Sequence, residues 1–297
     1  MSASNNIEAR SEFQKLQKPD LIWLTDNGSL KPDATLALRK LCQATSEILG
    51  QPIEPVSLLH SSKIDPELLE GKQARTFERS IKAAYEAGQK HVRIQPLFFG
   101  PSAALTEYLP ERLRILSKKR PELQVDIAPA LVPEKGPTPD WLLEVLSSHA
   151  EALLSDHPEI KHWLLVDHGS PRQEVAAVRD RVAADFQSHW KQSYADHAVY
   201  PASMERRDGD EYSFCDPLLE RAPSHYDIKS GEIGVLMLFF LPGRHAGPCG
   251  DVAEIIEGVE YENSALKLHM SPLFAEHSKL AEALAKKIQS ELQQVAS

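Results

Sequence analysis

Apolar and β-branched residues come in short runs along this chain, such as Leu21-Ile22-Trp23-Leu24 and Trp163-Leu164-Leu165-Val166. Between the runs the apolar spacing lengthens to a helical period; Leu280, Leu284, Ile288 and Leu292 make one stripe with Lys and Glu outside it. Strand runs alternating with helical patterns predict an α/β fold with parallel sheets flanked by helices. The first half reads as strands over 20–25, 53–58, 91–98 and 123–128, with helices over 33–49, 72–88, 103–118 and 139–154. The second reads as strands over 162–166, 197–203, 233–240 and 265–269, with helices over 171–190, within 216–230, and over 250–257 and 274–293. Ser170 followed by Pro171 supplies a helix N-cap and a first-turn proline, so His168 falls on a strand-to-helix loop.

The two halves repeat each other. Leu164-Leu165-Val166-Asp167-His168-Gly169-Ser170 matches Trp23-Leu24-Thr25-Asp26-Asn27-Gly28-Ser29, and Phe239-Phe240-Leu241-Pro242-Gly243-Arg244-His245 matches Phe98-Phe99-Gly100-Pro101-Ser102-Ala103-Ala104 at the same spacing. A third pair, at a slightly longer spacing, sets Tyr200-Pro201-Ala202-Ser203-Met204-Glu205 against Glu54-Pro55-Val56-Ser57-Leu58-Leu59. Thus His168, Glu205 and His245 stand where the first half has Asn27, Leu59 and Ala104. A unit of half the chain means two pseudo-symmetric domains rather than a solenoid. The expected division is a polar tail over 1–18, a first domain over 19–156 and a second over 157–297, meeting at the turn residues Ser155-Asp156-His157-Pro158.

At 297 residues and 42% hydrophobic content the chain can bury two ordinary cores. The tail lacks an apolar signal core and the longest apolar run, Ile233 to Leu241, is too short to span a bilayer, so a cytoplasmic protein without a membrane partner is expected. Three cysteines, Cys42, Cys215 and Cys249, offer no disulfide framework or paired zinc knuckle. A net charge of −10 argues against a nucleic-acid partner. It leaves room for an acidic small molecule, for which Arg172, Arg206, Arg207 and Arg244, with Ser170 on the His168 loop, are the candidate contacts.

His168, Glu205 and His245 each follow an expected strand, so all three project from the carboxyl edge of one parallel sheet, where such folds place their ligands. Two imidazoles and a carboxylate suit a borderline divalent ion such as Fe²⁺, Co²⁺ or Ni²⁺ and leave positions open for substrate. The same imidazoles can exchange protons near neutral pH. Cys249 reads either as an auxiliary soft ligand or, in the plainer reading, as a buried small hydrophobe. His60, His91, His149, His157, His162, His189, His197, His225, His269 and His277 show no such pattern and are expected to be surface or structural residues.

These residues resemble a known family. The Asp167-His168-Gly169-Ser170 loop, the Glu205 position and Leu241-Pro242-Gly243-Arg244-His245 are similar to the class II chelatases that insert metal into sirohydrochlorin, the CbiX/SirB type. The resemblance extends over nearly the whole chain as two fused chelatase-like domains, Pro96-Leu97-Phe98-Phe99 and Ser271-Pro272-Leu273 included. It implies that His168 and His245 bind the metal and accept pyrrole protons with Glu205 assisting, that no nucleotide is used, and that the carboxylates of sirohydrochlorin meet the flanking arginines. It also implies a monomer, the two halves acting as an internal pseudo-dimer. One departure stands out: similar proteins place an acidic residue about four positions after the second histidine, and here Ala246-Gly247-Pro248-Cys249-Gly250 intervenes before Asp251.

Three other readings compete with insertion. A non-catalytic tetrapyrrole or metal carrier would use similar ligands. A phosphoryl-transfer enzyme with His168 as nucleophile is weakened because no arginine immediately precedes that histidine and no glycine-rich phosphate loop is present. A sensor or scaffold finds support only in the degenerate first half.

Overall fold

The computed structural model describes residues 19–296; the polar tail expected over 1–18 lies outside the described residues. In the first half β1 (Leu21–Thr25), α1 (Pro32–Leu49), β2 (Glu54–Pro55), α2 (Phe77–Glu86), β3 (His91–Pro96), α3 (Leu109–Lys119), β4 (Gln124–Ile127) and α4 (Asp140–Asp156) follow in order. The second half repeats them as β5 (His162–Asp167), α5 (Gln173–Trp190), β6 (Ala198–Ser203), α6 (Ala222–His225), β7 (Gly231–Met237), α7 (Asp251–Glu262), β8 (Leu266–Met270) and α8 (Ser278–Ala296). Each half builds a four-stranded parallel sheet, ordered β2-β1-β3-β4 in one and β6-β5-β7-β8 in the other. The register agrees with the sequence repeat, for Trp23 pairs with Glu54 as Leu164 pairs with Tyr200.

The departures from the expected elements have local causes. The regular strand expected over 53–58 is confined to Glu54–Pro55, although Val56 N and Leu58 N still donate to Leu24 O and Asp26 O of the neighbouring segment. On its other edge, Ser57 pairs with the chain at 75–77, taking Arg75 O and giving its own carbonyl to Phe77 N, so the helix expected from 72 starts only at Phe77. The equivalent bridge, Ser203 with Leu218, occupies the start of 216–230 and leaves α6 four residues long. Ser170 does not cap α5. Its Oγ accepts the amide of Arg172, closing a tight turn through Pro171, and the helix begins at Gln173. Likewise 103–118 opens with a π-type turn, Ala104–Tyr108, before α3.

The halves do not keep their cores apart. α4, from the first half, packs against α5 and β7 of the second, and α8, from the second, packs against α1 of the first. Leu142, Val145, Leu146 and Ala150 on α4 join Trp163, Leu165, Val182 and Leu236, while Leu280, Leu284 and Ile288 on α8 join Leu38 and Leu41, all in one buried cluster. At about 1.5–3 kcal/mol for each fully buried aliphatic side chain, this shared core outweighs any single polar contact between the halves. Phe99 stacks on Phe240, its own counterpart in the repeat, with centroids 3.8 Å apart and planes 11° apart. The buried Arg93 on β3 pairs with Glu291 on α8, a second strap across the halves.

Within this shared core Trp163 is fully buried and lies in register with Gly234, where an added Cβ would come within 2.2 Å of the indole ring. Gly234→Ala should therefore destabilise the chain by about 1–3 kcal/mol through overpacking. Urea unfolding followed by tryptophan fluorescence reads this, and a change within ±0.5 kcal/mol would contradict the packing.

Candidate functional site

His168, Glu205 and His245 follow β5, β6 and β7 at the carboxyl edge of the second sheet, and the loops carrying them are fixed by backbone contacts. Glu205 N donates to His168 O at 3.2 Å, and Met204 N donates to Asp167 O at 2.8 Å. Gly169 lies in the left-handed region at φ 86°, and a Cβ there would stand 1.8 Å from the Glu205 carbonyl oxygen. Glycine is thus the residue that lets the two loops touch. Behind them Asp167 is buried, accepting Ser203 Oγ at 2.8 Å and Gly169 N at 3.1 Å, with the Arg179 guanidinium 3.6 Å away. Arg179, fully buried on α5, also donates to Ser203 Oγ and to Phe214 O, so one cation ties β5, β6 and the segment ahead of Asp216 together.

His168 is the point at which the three side chains come together in pairs. The His168 and His245 rings meet edge-on with centroids 4.4 Å apart at 84°, and Glu205 Oε1 is 3.6 Å from His168 Nε2. Each imidazole uses Nδ1 on the protein: His168 Nδ1 donates to Gly169 O at 2.9 Å, and His245 Nδ1 donates to Asp251 Oδ2 at 2.7 Å. That assignment leaves both Nε2 atoms free of the Nδ1 contacts, the arrangement by which a second partner orients a metal-binding histidine. The added residues between His245 and Asp251 do not separate the pair. The loop folds back, with Asp251 N on Arg244 O and Val252 N on His245 O, and Gly250 leaves no room for a Cβ against His245 O at 2.8 Å.

His168 faces a cleft of about 480 Å³ between the halves, walled by Phe98, Phe99 and Ala104 from one side and Phe239 and Phe240 from the other. Asn27 also lines it, and Ser170 and Pro171 form part of the rim. An apolar slot with a few polar groups at one end is the shape that receives a flat ligand. The expected substrate arginines divide. Arg172 pairs with Glu107 across the cleft, Arg206 with Asp216 at 3.2 Å, and Arg207 lies over the Tyr212 ring at 5.9 Å. Arg244, 77% exposed and 3.5 Å from Asp251, keeps its guanidinium open to solvent. Cys249 is exposed, correcting the expectation of a buried hydrophobe, because Gly247-Pro248-Cys249 forms the outer bend of the loop while Ala246 takes the buried position.

The first half keeps this frame without its donors. Leu58 N and Leu59 N donate to Asp26 O and Asn27 O as their counterparts do, and Gly28, at φ 91°, sits against the Leu59 carbonyl. Asp26 is half-buried where Asp167 is buried, and Leu38 stands where the second half has Arg179. Sequence reasoning missed Asp167, Arg179 and Ser203 as supports and Asp251 as the partner of His245. The repetition of Asp26 as Asp167 and of Ser57 as Ser203 was the available signal for the first and third; Arg179 has no counterpart to mark it.

No family model and no curated protein sequence matches the chain. Solved structures do, and they show a class II chelatase-like fold. SirB from Bacillus subtilis with Fe³⁺ aligns over 91% of this chain and 94% of its own at 14% identity and a TM-score of 0.63. The sirohydrochlorin chelatase SirB from Bacillus subtilis subspecies spizizenii in complex with cobalt aligns over 92% and 95% at 12% identity and a TM-score of 0.63. DR2241 from Deinococcus radiodurans, a multi-domain protein with structural similarity to chelatases, aligns over 91% of this chain and 54% of its own, with a TM-score of 0.52 and 14% identity. Among the described residues no helix is long and apolar enough to cross a membrane.

Burial raises the Asp26 carboxyl above its ordinary range, against weaker opposing hydrogen bonds from Ser57 and the Gly28 amide. The folded chain therefore holds that proton more tightly than the unfolded chain, and the stability Asp26 contributes is present below about pH 3.9 and is lost as pH rises through the raised value. Asp26→Asn should remove this loss, so that the variant gains on the wild type as pH rises from about 4. Urea midpoints measured across that range check it; parallel curves for the two proteins would contradict the assignment.

Proposed function

We propose that this chain is a metal chelatase that inserts a divalent ion, Fe²⁺ or Co²⁺, into sirohydrochlorin or a closely related tetrapyrrole without using a nucleotide. The observation that carries the reading is His168 on the wall of an apolar cleft, with the His245 ring centroid 4.4 Å from its own and Glu205 Oε1 3.6 Å from its Nε2. The metal is a substrate, and His168, His245 and Glu205 are the groups that receive it before transfer. Insertion exchanges these ligands for four pyrrole nitrogens and releases two N–H protons. Neutral imidazoles are suited to take both protons, and Asp251 holds the His245 ring in place. The phenylalanine walls hold the macrocycle face, and Arg244 is the contact proposed for its carboxylates, since its guanidinium remains open to solvent.

The first half contributes a wall of the cleft and no ligand, with Asn27, Leu59 and Ala104 in the three equivalent places. One catalytic site per chain follows, and we propose a monomer in which the two halves supply the pairing internally. A cytoplasmic location is part of the proposal.

Anaerobic incubation of the protein with sirohydrochlorin and each of Fe²⁺, Co²⁺ and Ni²⁺, followed by absorbance, tests the reading. Repeated turnover supports an enzyme, whereas one spectral change per chain would mark a carrier. His168→Ala and His245→Ala should each lower insertion at least about 10²-fold with far-ultraviolet circular dichroism unchanged; near-wild-type rates in both would sink the site. Asp251→Asn should reduce metal affinity or turnover by about 10–100-fold, as loss of an orienting partner does. If Asp251→Asn left both parameters unchanged, the hydrogen bond to His245 would have no catalytic part.

A further inference from the structure

A second set of metal donors lies away from the cleft. His157 caps the end of α4, Glu232 stands at the start of β7, and His269 is on β8 in register with Gly234. The three therefore meet near the amino edge of the second sheet, opposite the edge that carries His168 and His245. One ligand atom from each lies within 4.8 Å of the others. His157 Nδ1 is 3.6 Å and His269 Nε2 is 3.7 Å from Glu232 Oε2, and the two imidazoles stack with centroids 3.5 Å apart and planes 17° apart.

Three observations separate this cluster from an ordinary surface ion pair. Glu232 Oε2 and His269 Nε2 are both buried atoms with no hydrogen-bond partner, an arrangement that is costly unless something else satisfies them. The separations are too long for hydrogen bonds but near the roughly 3.4 Å expected between ligands of a tetrahedral ion with bonds of about 2.0–2.2 Å. The first half supplies the comparison: at the positions equivalent to Glu232 and His269 it has His91 and Asp126, and there the imidazole and carboxylate close directly on each other at 2.5 Å. The same two positions thus hold a closed pair in one half and an open pair with a third donor in the other.

We infer that His157, Glu232 and His269 form a second, structural site for a divalent transition ion of the zinc type. The donor set, two imidazoles and one carboxylate, leaves a fourth position for water, and all three side chains are between 21% and 33% exposed, so an ion can enter from solvent. Its place gives it a task, because α4 belongs to the first half by sequence and packs on the second. An ion on His157 would clamp the end of that exchanged helix to β7 and β8.

The two sites can be tested separately with Zn²⁺ and Co²⁺ alone. Equilibrium dialysis of the full chain should give two ions bound, falling to one in Glu232→Gln or His269→Gln. With His168 and His245 both replaced by Ala the chain should bind one ion, and none when His269→Gln is added. Zn²⁺ should raise the thermal midpoint of the His168→Ala, His245→Ala chain, and that rise should vanish with Glu232→Gln, while Glu232→Gln in the otherwise intact chain keeps its insertion rate. If the cleft-disabled chain, shown folded by circular dichroism, bound no metal, the second site would be refuted. A single wild-type ion that disappeared with His168→Ala and persisted with His269→Gln would refute it too. A single ion lost only with His269→Gln would uphold it and count against the cleft reading instead.

Discussion

The apolar seam where Phe99 lies on Phe240 holds the molecule to one arrangement. These rings are the same position in two copies of a repeat, so their contact marks the place where the halves face each other. Around it α4 and α8 have each crossed to the opposite half, and the side chains they bury belong to one continuous core. The cleft lies along this seam, and for that reason its walls come from both copies. A shift of one sheet relative to the other would have to break the seam before it could widen the slot.

Against that shared frame the chemistry is one-sided. In the second half the buried pair of Asp167 and Arg179 braces the loops that carry His168 and Glu205, and Asp251 braces His245. In the first half the loops keep the same hydrogen bonds and the same left-handed glycine, but Asp26 has no guanidinium beside it. The loop geometry therefore does not depend on the donors it carries. A buried carboxylate with a cation partner is costly to assemble and more costly to break, which suits a point that must not move when a metal and a charged macrocycle arrive.

Much of this was legible in the sequence because a repeat is its own alignment. The pairing of His168 with Asn27 and of Glu205 with Leu59 follows from spacing alone, and the strand register repeats it residue for residue. Element ends were less legible where backbone groups bond across the chain instead of along it: Ser57 captures residues 75–77 and delays α2, and Ser170 closes a turn short of α5. The exchange of α4 and α8 was hidden, since an amphipathic stripe does not name the surface it covers. Arg179 was hidden for a related reason: nothing in a helical pattern separates a buried arginine from a solvated one. Asp251 was visible but set aside on spacing, and only the folded loop brings it to His245.

The crossing of α8 bears on the order in which the chain can be made into a structure. Synthesis delivers β1 and α1 early, yet the surface of α1 that meets Leu280, Leu284 and Ile288 has no cover until α8 has been made. That face of α1 must therefore wait, uncovered, through the production of the second half, and its exposure ends only when α8 docks.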